Sequence, residues 1–259
     1  MSIIDKVAII TGAGSGIGHE TAIHLANAGV QVCLFDISEE NLIKTKTEIK
    51  QLGFETTIYP FDISNNDQVM EAFKHVYNCF GRVDIVFANA GIAGNLAAIE
   101  KMEISEWDKT INTNVNGTFL TIKNAIPYLK KKGGSIIITS SVSGNRVFSQ
   151  AGFSAYSTSK ASQLALMKMA ALELAAYQIR VNAICPGAIS TNIGKSIDKD
   201  SSLHEVEVPI DFPLGDQPLE HRAGSAIQVA SLVHFLASDQ SKHITGTEIY
   251  IDGGESLLR

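Results

Sequence analysis

A buried strand that runs directly into a glycine-rich turn and out into a helix constrains this chain more than any other feature. Lys6 to Thr11 is short, apolar and rich in β-branched residues, the pattern of a strand covered on both faces. It continues into Gly12-Ala13-Gly14-Ser15-Gly16-Ile17-Gly18, and His19 to Ala28 then carries apolar residues at helical spacing up to Gly29. Such a turn lets the backbone approach a pyrophosphate, and the helix start offers it unpaired N–H groups. Placed between strand and helix, the glycines form a candidate dinucleotide cradle.

The next unit extends that reading. Gln31 to Asp36 is a second buried strand, and it ends in an acid about 20 residues beyond the glycines, where a carboxylate accepts hydrogen bonds from an adenosine ribose. A 2′-phosphate there would meet a negative charge, and Ser15 and Ile37 supply no cation to offset it. NAD is therefore expected rather than NADP. The competing role for Asp36, capping the following helix, falls more naturally to Ser38.

Further strands are expected at Thr56 to Phe61, Val83 to Ala88, Ser135 to Thr139, Arg180 to Cys185 and Glu248 to Ile251, alternating with helices. Alternation without a linker-like break or internal repeat predicts an α/β fold. It is a single Rossmann-type doubly wound domain over residues 1–259, with a seven-stranded parallel sheet and helices on both faces. Ligands in such folds bind beyond the C-terminal strand ends. There lie Asp62 and Ile63, where the acid caps an adenine amino group or starts a turn. Asn89-Ala90-Gly91 either admit a cofactor or form an ordinary turn, and Ser141 and Pro186-Gly187 follow later strands.

Ala155-Tyr156-Ser157-Thr158-Ser159-Lys160 places a tyrosine and a lysine four apart on one helix face. An ammonium beside a phenol stabilises the phenolate, so the sequence predicts a lowered tyrosine pKa and a pair suited to moving a proton. Within the long helix expected from Ser105 to Lys131, Asn112, Asn114, Asn116 and Gly117 are poor helix formers, which predicts a kink or a functional asparagine. The pattern dissolves from about 191 to 224, a segment with Pro209, Pro213 and Pro218 and the acids Asp198, Asp200, Glu205, Glu207, Asp211, Asp216 and Glu220. A loop that long in a compact domain is expected to be a substrate loop or lid.

Bulk composition excludes several classes. A net charge of −6 gives none of the basic footprint of a nucleic-acid binder. No apolar run approaches the ~18 residues that span a bilayer. Lys130-Lys131-Lys132 before Gly133 reads as a cationic helix end. Cys33, Cys79 and Cys185 are widely spaced without a metal-ligand grouping, so no metal is expected and all three are expected to be buried, reduced thiols. With a strand starting near Lys6 there is no room for a leader, and a cytoplasmic location is expected.

These motifs together resemble the short-chain dehydrogenase/reductase family over nearly the whole chain. Thr11 to Gly18 is similar to its TGxxxGxG loop, Asn89-Ala90-Gly91 to its NAG motif, and Asn114 to its helix asparagine. Tyr156 and Lys160 match its YxxxK pair, Pro186-Gly187 its PG motif, and Ile251 to Gly254 its C-terminal ending. The family serine often precedes the tyrosine by 13, which points to Ser143. Ser141-Val142-Ser143-Gly144 instead fits the family's SxxG, which selects Ser141 and leaves a longer loop, Asn145 to Ser154, beside the site.

The resemblance implies that Tyr156 exchanges a proton with substrate and that Lys160 lowers its pKa and holds the nicotinamide ribose. It implies that Ser141 bonds the substrate oxygen and that Asn114 orders a water linking Lys160 to solvent. Ile189 and Thr191 would meet the carboxamide. Gly12, Ser15, Gly16, Ile17 and Gly18 would hold the pyrophosphate. The implied activity is NAD-dependent interconversion of a secondary alcohol and a ketone: a sugar, polyol, hydroxy acid or ring alcohol. The alternatives are reduction of a 3-oxoacyl thioester on acyl carrier protein and a non-catalytic NAD-binding sensor. The family also implies a homotetramer, or a dimer, through the Tyr156 helix and the C-terminal helix and strand.

Overall fold

The computed structural model describes residues 3–191, 197–210, 212 and 215–258; Asp211 and Pro213 of the expected lid lie outside them. In chain order the elements are β1 (Val7–Thr11), α1 (Gly16–Asn27), β2 (Gln31–Asp36), α2 (Glu39–Gln51), β3 (Thr57–Pro60), α3 (Asn66–Phe80) and β4 (Ile85–Ala88). There follow α4 (Ile104–Ile111), α5 (Gly117–Leu129), β5 (Gly134–Thr139), α6 (Ser154–Leu174) and β6 (Ile179–Pro186). The chain closes with β7 (Ile189–Ser190), α7 (Leu203–Val206), β8 (Gly224–Ser225), α8 (Ala226–Ala237) and β9 (Glu248–Ile251).

Seven strands form one parallel sheet in the order β3-β2-β1-β4-β5-β6-β9. The order reverses between β1 and β4, which opens the binding crevice at their C-terminal ends. Because successive strand side chains point to opposite faces, β1 serves two cores. Ala8 and Ile10 pack with Leu25, Leu42 and Val233 of α1, α2 and α8. Val7 and Ile9 share the other core with Phe73, Ile122 and Leu164 of α3, α5 and α6. The expected doubly wound α/β architecture is present.

Several expectations are corrected. The helix expected to run on from Ser105 is α4 and α5 joined by one π-helical turn, Asn112–Asn116. This wider turn absorbs the poor helix formers and aims Asn114 inward, fully buried. Asp84 lies just before β4; its carboxylate accepts from the Val7 N–H and takes both arms of Arg82. Helix α5 ends at Leu129, so Lys131 and Lys132 lie beyond it, before Gly133 at φ 74°. Cys33 and Cys185 are buried, but Cys79 is exposed on the outer face of α3.

The segment expected to be patternless holds α7 and is closed at its base by pairing of β7 with β8. A bridge between Leu96 and Lys199 pins its first half to the loop after β4. No described helix is long and apolar enough to cross a membrane.

Candidate active site

The glycine loop is locked to its neighbours by side chains that spend their polar atoms on backbone. Thr11 Oγ1 accepts from the N–H groups of Asn89 and Ala90 at 2.9 and 3.0 Å. Asn89 Nδ2 donates to the carbonyls of Thr11 and Gly12, and its Oδ1 accepts from Thr139. One asparagine thus ties together the ends of β1, β4 and β5.

Glycine is required here sterically. Gly12 has φ 65°, and a Cβ on it would lie 2.9 Å from the Ala90 Cα, while one on Gly18 would overlap the Gly12 carbonyl. The Ser15 side chain does not cap α1, so the first N–H groups of that helix are left for a ligand. Together they form a cradle that suits a pyrophosphate. Ile17 packs beside it against the core, and Thr191 approaches Gly16, where a Cβ would stand 3.3 Å from it.

Asp36 sits at the end of β2 with its Oδ2 accepting from Gly14 N–H and its Oδ1 from Ser38 N–H, both at 2.9 Å. Each oxygen keeps a lone pair for a ribose hydroxyl. Ser38 caps α2 by accepting from Asn41 N–H, as expected. Asp62 is exposed and its Oδ1 accepts from the N–H and hydroxyl of Ser64, the geometry of a turn. Ile63 is buried against Gly117.

Tyr156 lies in the first turn of α6 and Lys160 one turn on. The Ser141 hydroxyl lies near enough to the Tyr156 phenol to draw its pKa down, and it accepts from Ser143 N–H at 3.1 Å. Ser143 is turned into the short 3-10 turn Val142–Gly144. The structure therefore pairs Ser141, not Ser143, with the tyrosine.

Lys160 is buried, with its Nζ donating to the Thr139 carbonyl at 2.8 Å and lying 5.5 Å from the Tyr156 ring centre. Desolvation lowers its pKa to about 8. The predicted lowering of the tyrosine is not seen. Burial around the phenol pushes its pKa up, and the Ser141 hydroxyl offsets only part of this.

Asn114 is held on every side. Its Oδ1 accepts from Ile92 N–H at 2.8 Å, and its Nδ2 donates to the Ile92 carbonyl and to Ser159 Oγ. Its own carbonyl accepts from Thr118 and from the buried Gln163 Nε2. A Cβ on Gly91 would lie 3.0 Å from Asn114 Oδ1 and 3.5 Å from Lys160 Nζ, so the glycine leaves room between the two.

On the far side, Gly187 N–H donates to the Ile251 carbonyl just after the buried Pro186, and Ile189 pairs with Gly224. The structure thus brings the glycine loop, Asp36, Asn89–Gly91, Asn114, Ser141, Tyr156, Lys160 and Pro186–Thr191 to the C-terminal edge of the sheet. Sequence reasoning missed Ser159, which links Asn114 to the Tyr156 carbonyl, and Ser140, whose hydroxyl holds the Lys160 carbonyl at 2.9 Å. Their position inside the Tyr–Lys and serine motifs was the available signal. Beyond the site, a cavity of about 630 Å³ opens between Ser149–Gln150 and His204, Glu207, Ile210 and Phe212 of the segment before β8.

Comparison with known proteins agrees with this geometry. A family model described as enoyl-(acyl carrier protein) reductase matches residues 12–256. The 3-oxoacyl-[acyl-carrier-protein] reductase of Thermotoga maritima is 36% identical over 98% of this chain and 99% of its own. Levodione reductase of Leifsonia aquatica is 34% identical over 97% and 94%. A crystal structure of a 3-ketoacyl-ACP reductase from Sinorhizobium meliloti superposes with a TM-score of 0.92 at 41% identity, covering 98% of this chain and 100% of that one. One from Brucella melitensis, complexed with NADH, superposes at 0.86 with 29% identity, covering 98% and 100%. The chain belongs to the short-chain dehydrogenase/reductase family and is an oxidoreductase of that family.

Proposed function

We propose that the protein is an NAD(H)-dependent oxidoreductase that interconverts a ketone and a secondary alcohol. The observation that carries this reading is the grouping of Ser141, Tyr156 and the buried Lys160 beside a glycine cradle and an acid-tipped β2. The bound cofactor would supply or accept the hydride. On reduction, Tyr156 gives its phenolic proton to the carbonyl oxygen; on oxidation it takes that proton from the hydroxyl. Its raised pKa keeps it protonated at neutral pH, the form needed for reduction. Ser141 donates to the same oxygen as charge builds on it. Lys160, still mostly a cation at neutral pH, would favour charge on the phenol and would hold the nicotinamide ribose of a bound cofactor. The space beside Gly91 suits a water between Lys160 and Asn114 Oδ1.

The names of the Thermotoga and Sinorhizobium relatives favour a 3-oxoacyl thioester, which is itself a ketone reduced to a secondary alcohol, over the sugar, polyol or hydroxy acid expected from the residues. Levodione reductase supports a small ring ketone instead. The acids of the lid repel an acidic carrier protein and the phosphates of coenzyme A alike, so charge supports the neutral ring ketone while the names of the relatives support the thioester. We further read the protein as a cytoplasmic homotetramer or dimer. Its unpaired thiols and the exposed Met169 and Leu172 on the alanine-rich α6 support this.

The test is NADH oxidation with a 3-oxoacyl thioester and a cyclic diketone, and NAD reduction with polyols, each repeated with Tyr156→Phe. The variant is expected to bind NADH and to lose turnover by orders of magnitude. Unchanged turnover would remove the tyrosine from the mechanism.

A further inference from the structure

Glu255 is a carboxylate that burial makes costly unless donors compensate it. It opens the 3-10 turn Glu255–Leu257 after β9 and is only 4% exposed. Its Oε2 accepts from two groups that are remote in the chain: the Ala188 N–H at 2.9 Å and the Nε2 of the buried Gln217, also at 2.9 Å. Ala188 directly precedes β7, and Gln217 lies on the returning half of the lid. Gly187 passes so closely that a Cβ there would stand 2.6 Å from the same oxygen.

The turn itself is built to hold this carboxylate still. Asp252 accepts from the N–H groups of Gly254 and Ser256 at 3.2 and 3.0 Å. Leu219 N–H donates to the Gly253 carbonyl, and Gly224 N–H to the Ala188 carbonyl, at 3.1 and 3.0 Å. The end of the chain, the exit of β6 and the return of the lid therefore meet at one buried oxygen.

We propose that Glu255 is a positioning residue that sets the Ala188–Thr191 segment and the base of the lid together, so that seating of the cofactor's nicotinamide end and seating of the lid are coupled. This rests on the reading that Ile189 and Thr191 meet the cofactor. Removing the carboxylate leaves both the Ala188 N–H and the Gln217 amide without their acceptor. The two segments then loosen together although they are not adjacent in sequence.

Amide hydrogen exchange on the cofactor-free protein tests this, with NADH fluorescence titration as the second readout. Glu255→Ala is expected to speed exchange in both 187–191 and 216–224 and to weaken NADH binding about tenfold. Glu255→Gln retains an acceptor oxygen and is expected to restore most of both. Gln217→Leu is expected to speed exchange in both segments to a smaller degree. Faster exchange confined to 252–258 in Glu255→Ala, or to 216–224 in Gln217→Leu, would overturn the coupling, as would unchanged NADH affinity in Glu255→Ala. Should Glu255→Ala fail to fold, Gln217→Leu decides the matter on the same criteria. Wild-type protein that does not bind NADH would overturn the proposed function itself. Normal binding by both wild type and Glu255→Ala overturns only the positioning role.

Discussion

Lys160 Nζ stands 5.5 Å from the ring centre of Tyr156 and directs a hydrogen bond at the Thr139 carbonyl, 2.8 Å away. The lysine is thus anchored to the sheet and lies over the ring of Tyr156 without a hydrogen bond to it. Burial costs both residues their charged forms: the lysine pKa falls to about 8, and the tyrosine rises.

The lysine makes stability depend on pH in a definite direction. Its folded pKa of about 8 lies below the ordinary value of 10.5, so the unfolded chain binds more protons between those limits. Stability therefore rises with pH across that window, and the full cost of burying the cation is present below pH 8. Urea unfolding of the wild type relative to Lys160→Met should show a gain of at most about 3 kcal/mol from pH 7.5 to 10.5. A flat difference would mean that Lys160 is solvated in solution.

The choice between the two serines follows from which of them influences the Tyr156 phenol. Ser141 faces Tyr156, while Ser143 is folded into the 3-10 turn and offers Ser141 its backbone N–H. Ser141→Ala is expected to lower kcat by about 10²–10³-fold with little change in NADH affinity. Ser143→Ala should stay within a few-fold of wild type. The reverse ranking in steady-state kinetics would move the role to Ser143.

The proposed preference for NAD rests on Asp36. Its carboxylate already organises the glycine loop through Gly14 and the start of α2 through Ser38. Replacing it removes acceptors for the ribose and also the charge that repels a 2′-phosphate. Asp36→Ala should reduce the ratio of kcat/KM for NAD over NADP on the order of a hundredfold. Wild-type protein that turns over faster with NADP at equal low concentration would contradict the reading of this residue.

Much of this site was legible in the chain because its parts are local patterns. Gly12 to Gly18, Asp36 at a strand end, and Tyr156 with Lys160 each announce themselves within a few residues, and alternation of strands with helices brings them to one edge. The π-helical turn was foreshadowed by Asn112, Asn114 and Asn116, but its register comes from Ile92, Ser159 and Gln163 closing on Asn114. Glu255 was invisible as a functional residue because its partner Ala188 is 67 positions away. The raised pKa of Tyr156 was missed for a different reason: a lysine four residues on can be counted in a sequence, whereas the burial of the phenol cannot.

Helices α1 and α8 meet at a pair of histidines. His24 Nε2 and His234 Nδ1 share a hydrogen bond at 3.1 Å, and the rings meet edge-on with centroids 5.2 Å apart. One ring must present an unprotonated nitrogen to the other, so the pair cannot carry two protons and keep this contact. Desolvation lowers the pKa of both, and in His234 the neighbouring His24 lowers it further. Each histidine therefore binds a proton more readily in the unfolded chain than in the folded one. The stability they contribute is fully present above pH 6.5 and is lost as the pH falls through their lower folded values. His234→Gln keeps a polar partner for His24 while removing one titrating group. Thermal melts from pH 7.5 to 5 should show a steeper fall in Tm for the wild type than for this variant, with the two converging toward pH 5. Parallel Tm profiles would show that the pair does not sense pH.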